Sequence, residues 1–499
     1  MGARRVRLWC TVGVAGIVAL WVLLPVAATP ARRLSAQAST KQLRQYARNT
    51  WASFVAMTDS RSGLPADILN SDGSTSVQTS TTNIGAYMWS AVAARRLGII
   101  SEHTLVRRLS RTLKTLSHME RYKNTGQYYN WYDHRTGAKL TDWPPKHDPN
   151  FHPILSSVDN GWLAVGLKIV RDSVPQLASR AGALYDAMDF GFYYRPGVNR
   201  VLFHFRPDDP SASPCCYDTV VSESRIVDYL GIAKGQLPDK EYFGRWRTFP
   251  DTCAYSFQET RPIGTWRRYF GVNVFEGAYP YAGTRLVPSW GGSMFEALMP
   301  ALFVPEEKWA PMSWGHNHPL TVNAQVYHGM TEAGYGYWGF SPANKPEGDY
   351  GAWGVDGAGM DPNGMPSNED NTLVDHGYNA PGCVRPAQPN PPPSAYTNGV
   401  VTPHAAFLAL RFAPAAARAD IARLASNFPG LFGKWGFRDS VNVMTKRVSD
   451  SYLSLDQGMI MAALGNALGD DVLRRAFADR AVERALRPVI GIERFSTSP

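Results

Sequence analysis

Four carboxylate residues stand where a loop turns into an apolar, helix-forming run. They are Asp159 in Ser157-Val158-Asp159-Asn160-Gly161-Trp162, Glu223 in Val221-Ser222-Glu223-Ser224-Arg225, Glu296 in Gly292-Ser293-Met294-Phe295-Glu296, and Asp456 in Leu455-Asp456-Gln457-Gly458. Taken singly, each is explained by capping, because the unpaired N–H groups and the dipole of a helix start favour a negative charge. Taken together, they put several ionisable groups where a buried core meets water. General acid–base chemistry needs that arrangement, with one carboxyl kept protonated to donate and another kept ionised to draw a proton from water. Glu223 is flanked by Val220, Val221, Ile226 and Val227, apolar surroundings that raise a carboxyl pKa by desolvation, while Arg225 opposes the rise if it turns inward.

The elements that must carry these acids are helices. Leu43, Tyr46, Ala47, Trp51, Phe54 and Val55 recur at helical spacing, and Ile84, Tyr87, Met88, Ala91 and Val92 repeat the pattern. The same rhythm predicts helices over 41–57, 82–97, 101–119, 157–172, 174–188, 219–233, 293–303, 320–333, 403–411, 414–426, 455–468 and 470–486, joined mostly by short loops. Residues 192–206 and 268–276 read as short hairpins. No fixed-period repeat is visible, which disfavours an open solenoid. A closed toroid of helix hairpins uses this count and length, so the expected fold is all-α, an (α/α)6 barrel over residues 41–490. A Gly/Pro/aromatic-rich insert at 334–400 carries Tyr335, Tyr337, Trp338, Tyr350 and Trp353 and reads as a functional lid.

The chain has 499 residues, 44% of them hydrophobic, enough for a large core, and its 12% aromatic content suits either an aromatic core or a sugar-stacking groove. Arg4, Arg5 and Arg7 precede an apolar run from Leu8 to Ala28, so residues 1–40 are expected to be a signal peptide or signal anchor placing the rest outside the cytoplasmic membrane. In that compartment Cys215, Cys216, Cys253 and Cys383 are expected to form one or two disulfides. About half of the net charge of +9 comes from Arg4, Arg5, Arg7, Arg32 and Arg33, and no basic run or binding motif points to nucleic acid. His316, His318 and His328 read as ordinary histidines rather than metal ligands. The sequence contains neither a Gly-x-Ser-x-Gly nucleophile elbow nor a phosphate loop.

An ordered set of motifs spans about 42–470: Thr58-Asp59-Ser60-Arg61-Ser62-Gly63-Leu64-Pro65, Thr81-Thr82-Asn83-Ile84-Gly85, the Asp159 and Glu223 segments, Gly292-Ser293-Met294-Phe295-Glu296, Gly351-Ala352-Trp353-Gly354, Val401-Thr402-Pro403-His404-Ala405-Ala406, Gly433-Lys434-Trp435-Gly436-Phe437-Arg438-Asp439-Ser440 and Leu455-Asp456-Gln457-Gly458. This set resembles the bacterial glycoamylase-like domain family, which includes the endo-β-1,2-glucanases of glycoside hydrolase family 144. The resemblance implies an (α/α)6-barrel glycosidase that hydrolyses a poly- or oligosaccharide with inversion and without a metal or organic cofactor. It implies Glu223 as the general acid, with Asp159 and Asp456 as candidates for activating water. Glu296, Trp162, Trp314, His316, Tyr335, Trp338, Trp353, Arg225 and Gln457 are the expected substrate-binding residues. A β-1,2-glucan or a cell-envelope glycan is the expected substrate, and a non-catalytic carbohydrate-binding or envelope-assembly protein on the same barrel is the alternative.

Overall fold

The computed structural model describes residues 37–250, 261–360, 378–380, 383–385 and 392–497. The expected signal segment therefore lies outside the described residues, apart from its last four, and the helices all belong to the unit Ala36–Pro499. They are α1 (Thr40–Met57), α2 (Thr81–Arg96), α3 (Glu102–His118), α4 (Ser157–Ser173), α5 (Ala178–Asp186), α6 (Arg225–Ala233), α7 (Met294–Leu298), α8 (Glu306–Trp309), α9 (Trp314–Tyr327), α10 (Pro403–Leu408), α11 (Pro414–Asn427), α12 (Ser454–Leu468), α13 (Val472–Phe477) and α14 (Arg480–Ile490).

Two kinds of helix are present. α3 buries Leu105, Leu109, Thr112, Leu113 and Leu116, one stripe of a helix capped by Ser101, and α14 buries Val482, Leu486, Val489 and Ile490 behind Asp479. By contrast, α2 buries every residue from Thr81 to Ala94, and α12 buries every residue from Asp456 to Asn466. Helices apolar on all sides belong inside. Glycines let them come together: a Cβ on Gly85 would stand 2.4 Å from the Trp162 carbonyl oxygen, and one on Gly458 would stand 2.6 Å from Ala86 Cβ. α2 packs on α4 and α12, α4 on α6, and α10 on α7 and α12; outside them, α1 lies on α12, α3 on α2, α5 on α4, α14 on α6, α9 on α7 and α11 on α10.

One buried cation at the start of α6 joins it to α7 by hydrogen bonds and to α8 by an ion pair. Arg225 is fully buried and donates to the carbonyls of Ser222 (2.8 Å), Glu296 (3.0 Å) and Ala297 (2.7 Å) while pairing with both oxygens of Glu306 at 2.6 and 3.0 Å. Removing one partner of such a buried pair costs roughly 3–5 kcal/mol. Arg225, expected to meet substrate, is instead the residue that fastens the Glu223 turn to α7.

Local departures from the expected helices have local causes. The helix expected over 219–233 begins only at Arg225: Thr219 is bridged to Trp246, whose carbonyl accepts the Val220 N–H at 2.9 Å, and bends and a turn lead from there to Ser224. The 293–303 helix stops at Leu298 and passes into a 3₁₀ turn over Pro300–Leu302, where proline supplies no N–H. The 470–486 helix divides into α13 and α14, the second opened by the Asp479 cap. The hairpin expected near 268–276 is longer, pairing Ile263–Tyr269 with Val272–Tyr281 and adding Thr284–Leu286. Cys215 and Cys216 are bonded to each other; Cys253 and the Cys383 side chain lie outside the described residues. His318 and His328 are buried against Glu306 (3.0 Å) and Glu332 (2.7 Å) as core histidines.

Candidate active site

On one side of the site, α4 presents Asp159 in its first turn. Ser156 Oγ accepts the Asp159 N–H at 3.3 Å, and Thr82 at the start of α2 donates its hydroxyl to Asp159 Oδ1 at 2.7 Å. One turn on, the indole N–H of Trp162 donates to Glu223 Oε2 at 2.5 Å. Glu223 lies in the tight turn before α6, partly open to solvent, and its backbone N–H donates to Glu296 Oε2 at 2.8 Å. Buried Arg225 grips this turn at Ser222, and buried Arg245 donates to Ser224 Oγ at 2.6 Å. The carboxyl is thus held in place by the hydrogen bonds of its neighbours.

On the other side, the strand Ser451–Leu453 pairs antiparallel with Ile68–Asn70 and delivers the chain into α12, where Ser454 N–H donates to the Asp67 carbonyl at 2.8 Å. That pairing brings three carboxylates together. Asp456 in the first turn of α12 is buried, with His404 Nδ1 3.2 Å from its Oδ2. Beyond that contact with each other, neither Asp456 oxygen and neither His404 nitrogen has a hydrogen-bond partner among the described residues. Asp439 is fully engaged, accepting from Leu453 N–H (2.7 Å), Asn344 Nδ2 (2.9 Å) and Ser451 Oγ (2.9 Å). Asp67 accepts from Asn83 Nδ2 at 2.8 Å.

Electrostatics tie the two sides into one site. Burial, followed by the negative charge of Glu296, holds the Glu223 carboxyl well above the usual range; Asp159 adds to the rise, while the Trp162 N–H and the Arg225 charge oppose it. Burial also raises Asp456, with nearby His404 pulling it back. Asp439 is raised by burial and then by Asp456. Asp67 is pushed up to about 6, first by burial and further by the charges of Asp159 and Asp456, against the Asn83 hydrogen bond. Two phenols face the cluster. Tyr217 feels Glu223, Asp159 and Glu296, and Tyr350 feels Asp456, Glu223, Glu296 and Asp67. Tyr350 is 50% exposed. It is carried by a hairpin whose other strand, Ala343–Asn344, is pinned to Asp439 and Ser451 through Asn344.

The structure therefore brings Asp159, Glu223, Glu296 and Asp456 together, with Trp162 as a hydrogen-bond donor to Glu223. It buries most of the aromatic residues expected to meet sugar. Trp314 is a core residue whose N–H donates to the Tyr242 hydroxyl at 2.9 Å and whose ring lies under the Arg225 guanidinium. Trp338 and Trp353 are 1% and 2% exposed, and Tyr335 packs edge-on to His328. Gln457 is buried and donates to the Phe437 carbonyl at 2.8 Å. His316 is exposed on α9 and joins none of these contacts. Asp67, Asp439, His404 and Tyr217 are site residues that carried no expectation as such, whereas Tyr350 was among the aromatic residues of the expected lid. His404 and Asp439 do lie within motifs that carry the resemblance, and those motifs are the signal that could have found them.

Residues 258–481 match the model of the Glycoamylase family, described as "Putative glucoamylase", and residues 45–191 match one described as a protein of unknown function, DUF3131. Among curated proteins, the cyclic β-(1,2)-glucan synthase NdvB of Rhizobium meliloti is 22% identical over 93% of this chain, which spans only 19% of that relative. Among solved structures, the endo-β-1,2-glucanase of Chitinophaga pinensis, in complex with sophorotriose and glucose, has a TM-score of 0.64 at 18% identity, covering 91% of this chain and 98% of that one. The β-1,2-glucanase of Parabacteroides distasonis has a TM-score of 0.66 at 17% identity, covering 91% of this chain and 60% of that one. The endo-β-1,2-glucanase of Talaromyces funiculosus with sophorose has a TM-score of 0.60 at 12% identity, covering 90% of each. At such identities the likeness is one of fold; the glycoamylase-like family match is that of residues 258–481.

Proposed function

We propose that this protein is an inverting, endo-acting glycoside hydrolase of β-1,2-glucan, built as an (α/α)6 barrel. In this reading α2, α4, α6, α7, α10 and α12 form the inner ring in that order, each contact in the order being one described above, with the Arg225 bonds closing α6 onto α7. The carrying observation is the position of the acids in that order. Glu223 enters α6, and Asp456 enters α12, three places away in a ring of six. Inversion requires an acid and a base separated by about 6.5–9.5 Å, leaving room for water and the sugar between them. Opposed helices suit that geometry better than neighbours do. Glu223, held protonated by burial and by Glu296, donates to the departing oxygen. Asp456, whose one close partner among the described residues is His404, takes the proton of the attacking water. Asp159, on the helix beside Glu223, keeps that carboxyl protonated and helps position the sugar.

Extracytoplasmic placement through the apolar segment of residues 8–28, by secretion or by a membrane tether, belongs to the same proposal; among the described residues no helix is long and apolar enough to cross a membrane. Incubation with linear β-1,2-glucan and a panel of envelope glycans tests the reading. New reducing ends are expected from β-1,2-glucan; binding without cleavage across the panel would make the protein a carbohydrate binder.

The tuning of Glu223 predicts opposite pH effects from two of its neighbours. The acid must be protonated, so its ionisation sets the alkaline limb of the kcat/KM profile. Trp162→Phe removes a donor that stabilises the ionised form, so the limb moves to higher pH. Glu296→Gln removes a like charge, so the limb moves to lower pH. Profiles recorded on soluble β-1,2-glucan check the two directions.

A further inference from the structure

Outside the carboxylate cluster, a groove of about 510 Å³ lies between the long hairpin and the segment around Trp246. Trp266 and Phe275, register partners on the two strands with ring centroids 5.4 Å apart, form one wall; Phe270 and Trp246 continue it, and exposed Asn273 and Lys240 add polar groups. Trp266 is 64% exposed and Phe270 46%. Exposed large aromatics gathered in one concavity mark a binding surface more often than chance. The volume falls in the range of small-ligand clefts, about 300–1,000 Å³.

The chemistry of the lining selects the occupant. Flat, weakly polar rings edged by an amide and an ammonium suit a pyranose, which offers C–H groups on its faces and hydroxyls at its rim. A second protein strand fits less well, because Trp266 is followed on the outer strand by Arg267 and Arg268, both exposed, and edge charges oppose strand-to-strand pairing. The groove also shares a wall with the candidate active site. Trp246 accepts the Val220 N–H at its carbonyl, and Arg245, which lines the groove, donates to Ser224 next to Glu223.

We propose that this groove is a second glycan-binding surface, taking a short run of neutral hexose units from the same polymer whose scissile part lies in the carboxylate cleft. The proposal rests on the glucanase reading and adds a site to it. Its test uses the full chain carrying Glu223→Gln, so that glucan is bound without being cut, with and without Trp266→Ala, in affinity electrophoresis through β-1,2-glucan and through gels with short oligosaccharide as competitor. Trp266→Ala is expected to weaken polymer retardation roughly threefold to tenfold, the loss of one aromatic stacking contact. In the active background it should raise KM for polymer by a like factor, leaving kcat and the KM for a short oligosaccharide unchanged, with Trp266→Phe largely restoring polymer affinity. Retardation identical with and without Trp266 overturns the second surface while leaving the cleft reading intact, as does a Trp266-dependent dimer with unchanged glucan affinity. A Glu223→Gln protein that no glucan retards overturns both readings.

Discussion

Glu223→Gln should keep the fold and glucan binding while lowering kcat on β-1,2-glucan by roughly 10²–10⁴-fold, the contribution of a positioned general acid. The amide retains the size of the carboxyl and accepts the Trp162 N–H as before, so the turn before α6, fixed through Arg225 and Arg245, need not move. What it lacks is a transferable proton. Burial and the charge of Glu296, whose oxygen accepts the Glu223 backbone N–H at 2.8 Å, raise the native carboxyl's pKa and so favour its protonated form. A substrate with an activated leaving group, which needs little protonation to depart, should recover much of the lost rate in this variant. Turnover like that of the wild type on natural polymer would remove Glu223 from the mechanism.

Asp456→Asn is the second large effect, a fall of roughly 10²-fold or more in kcat with KM little changed, since a water-activating base acts in the transition state. Asp159→Asn should behave differently. Asp159 neighbours Glu223 and already accepts the Thr82 hydroxyl, so its loss should mainly lower the Glu223 pKa, bringing the alkaline limb down, with a smaller fall in kcat at the optimum. Asp456 has His404 3.2 Å away and no other hydrogen-bond partner among the described residues. Steady-state kinetics of both variants over pH decide between them; if Asp159→Asn proves the more damaging at its own optimum, the base is Asp159.

The helical rhythm was legible because surface helices such as α3 and α14 show one apolar stripe, and because capping serines and aspartates mark their starts. The acids at helix mouths were legible for the same local reason. What spacing could not show is contact between distant segments. Asp67 lies in the loop after Pro65, with no helix to announce it, and reaches the site only because Ile68–Asn70 pairs with Ser451–Leu453. Aromatic type was a poor guide to exposure: Trp314, Trp338 and Trp353 fill the core, whereas Tyr350, in the same insert as Trp338 and Trp353, is the ring left open above the carboxylates. Arg225 misled for a related reason, since a cation next to a catalytic candidate reads as a ligand until its five bonds are seen to end on α7, Glu306 and its own turn.

The central claim is that Glu223 and Asp456 act from opposite sides of a β-glucosidic bond. Proton NMR of linear β-1,2-glucan during the first moments of digestion, before the products mutarotate, reads it directly. The account predicts that the new reducing ends appear first as the α-anomer and equilibrate afterwards. The β-anomer appearing first would mean retention, with the two carboxylates too close for water to enter between them, and would contradict the assignment.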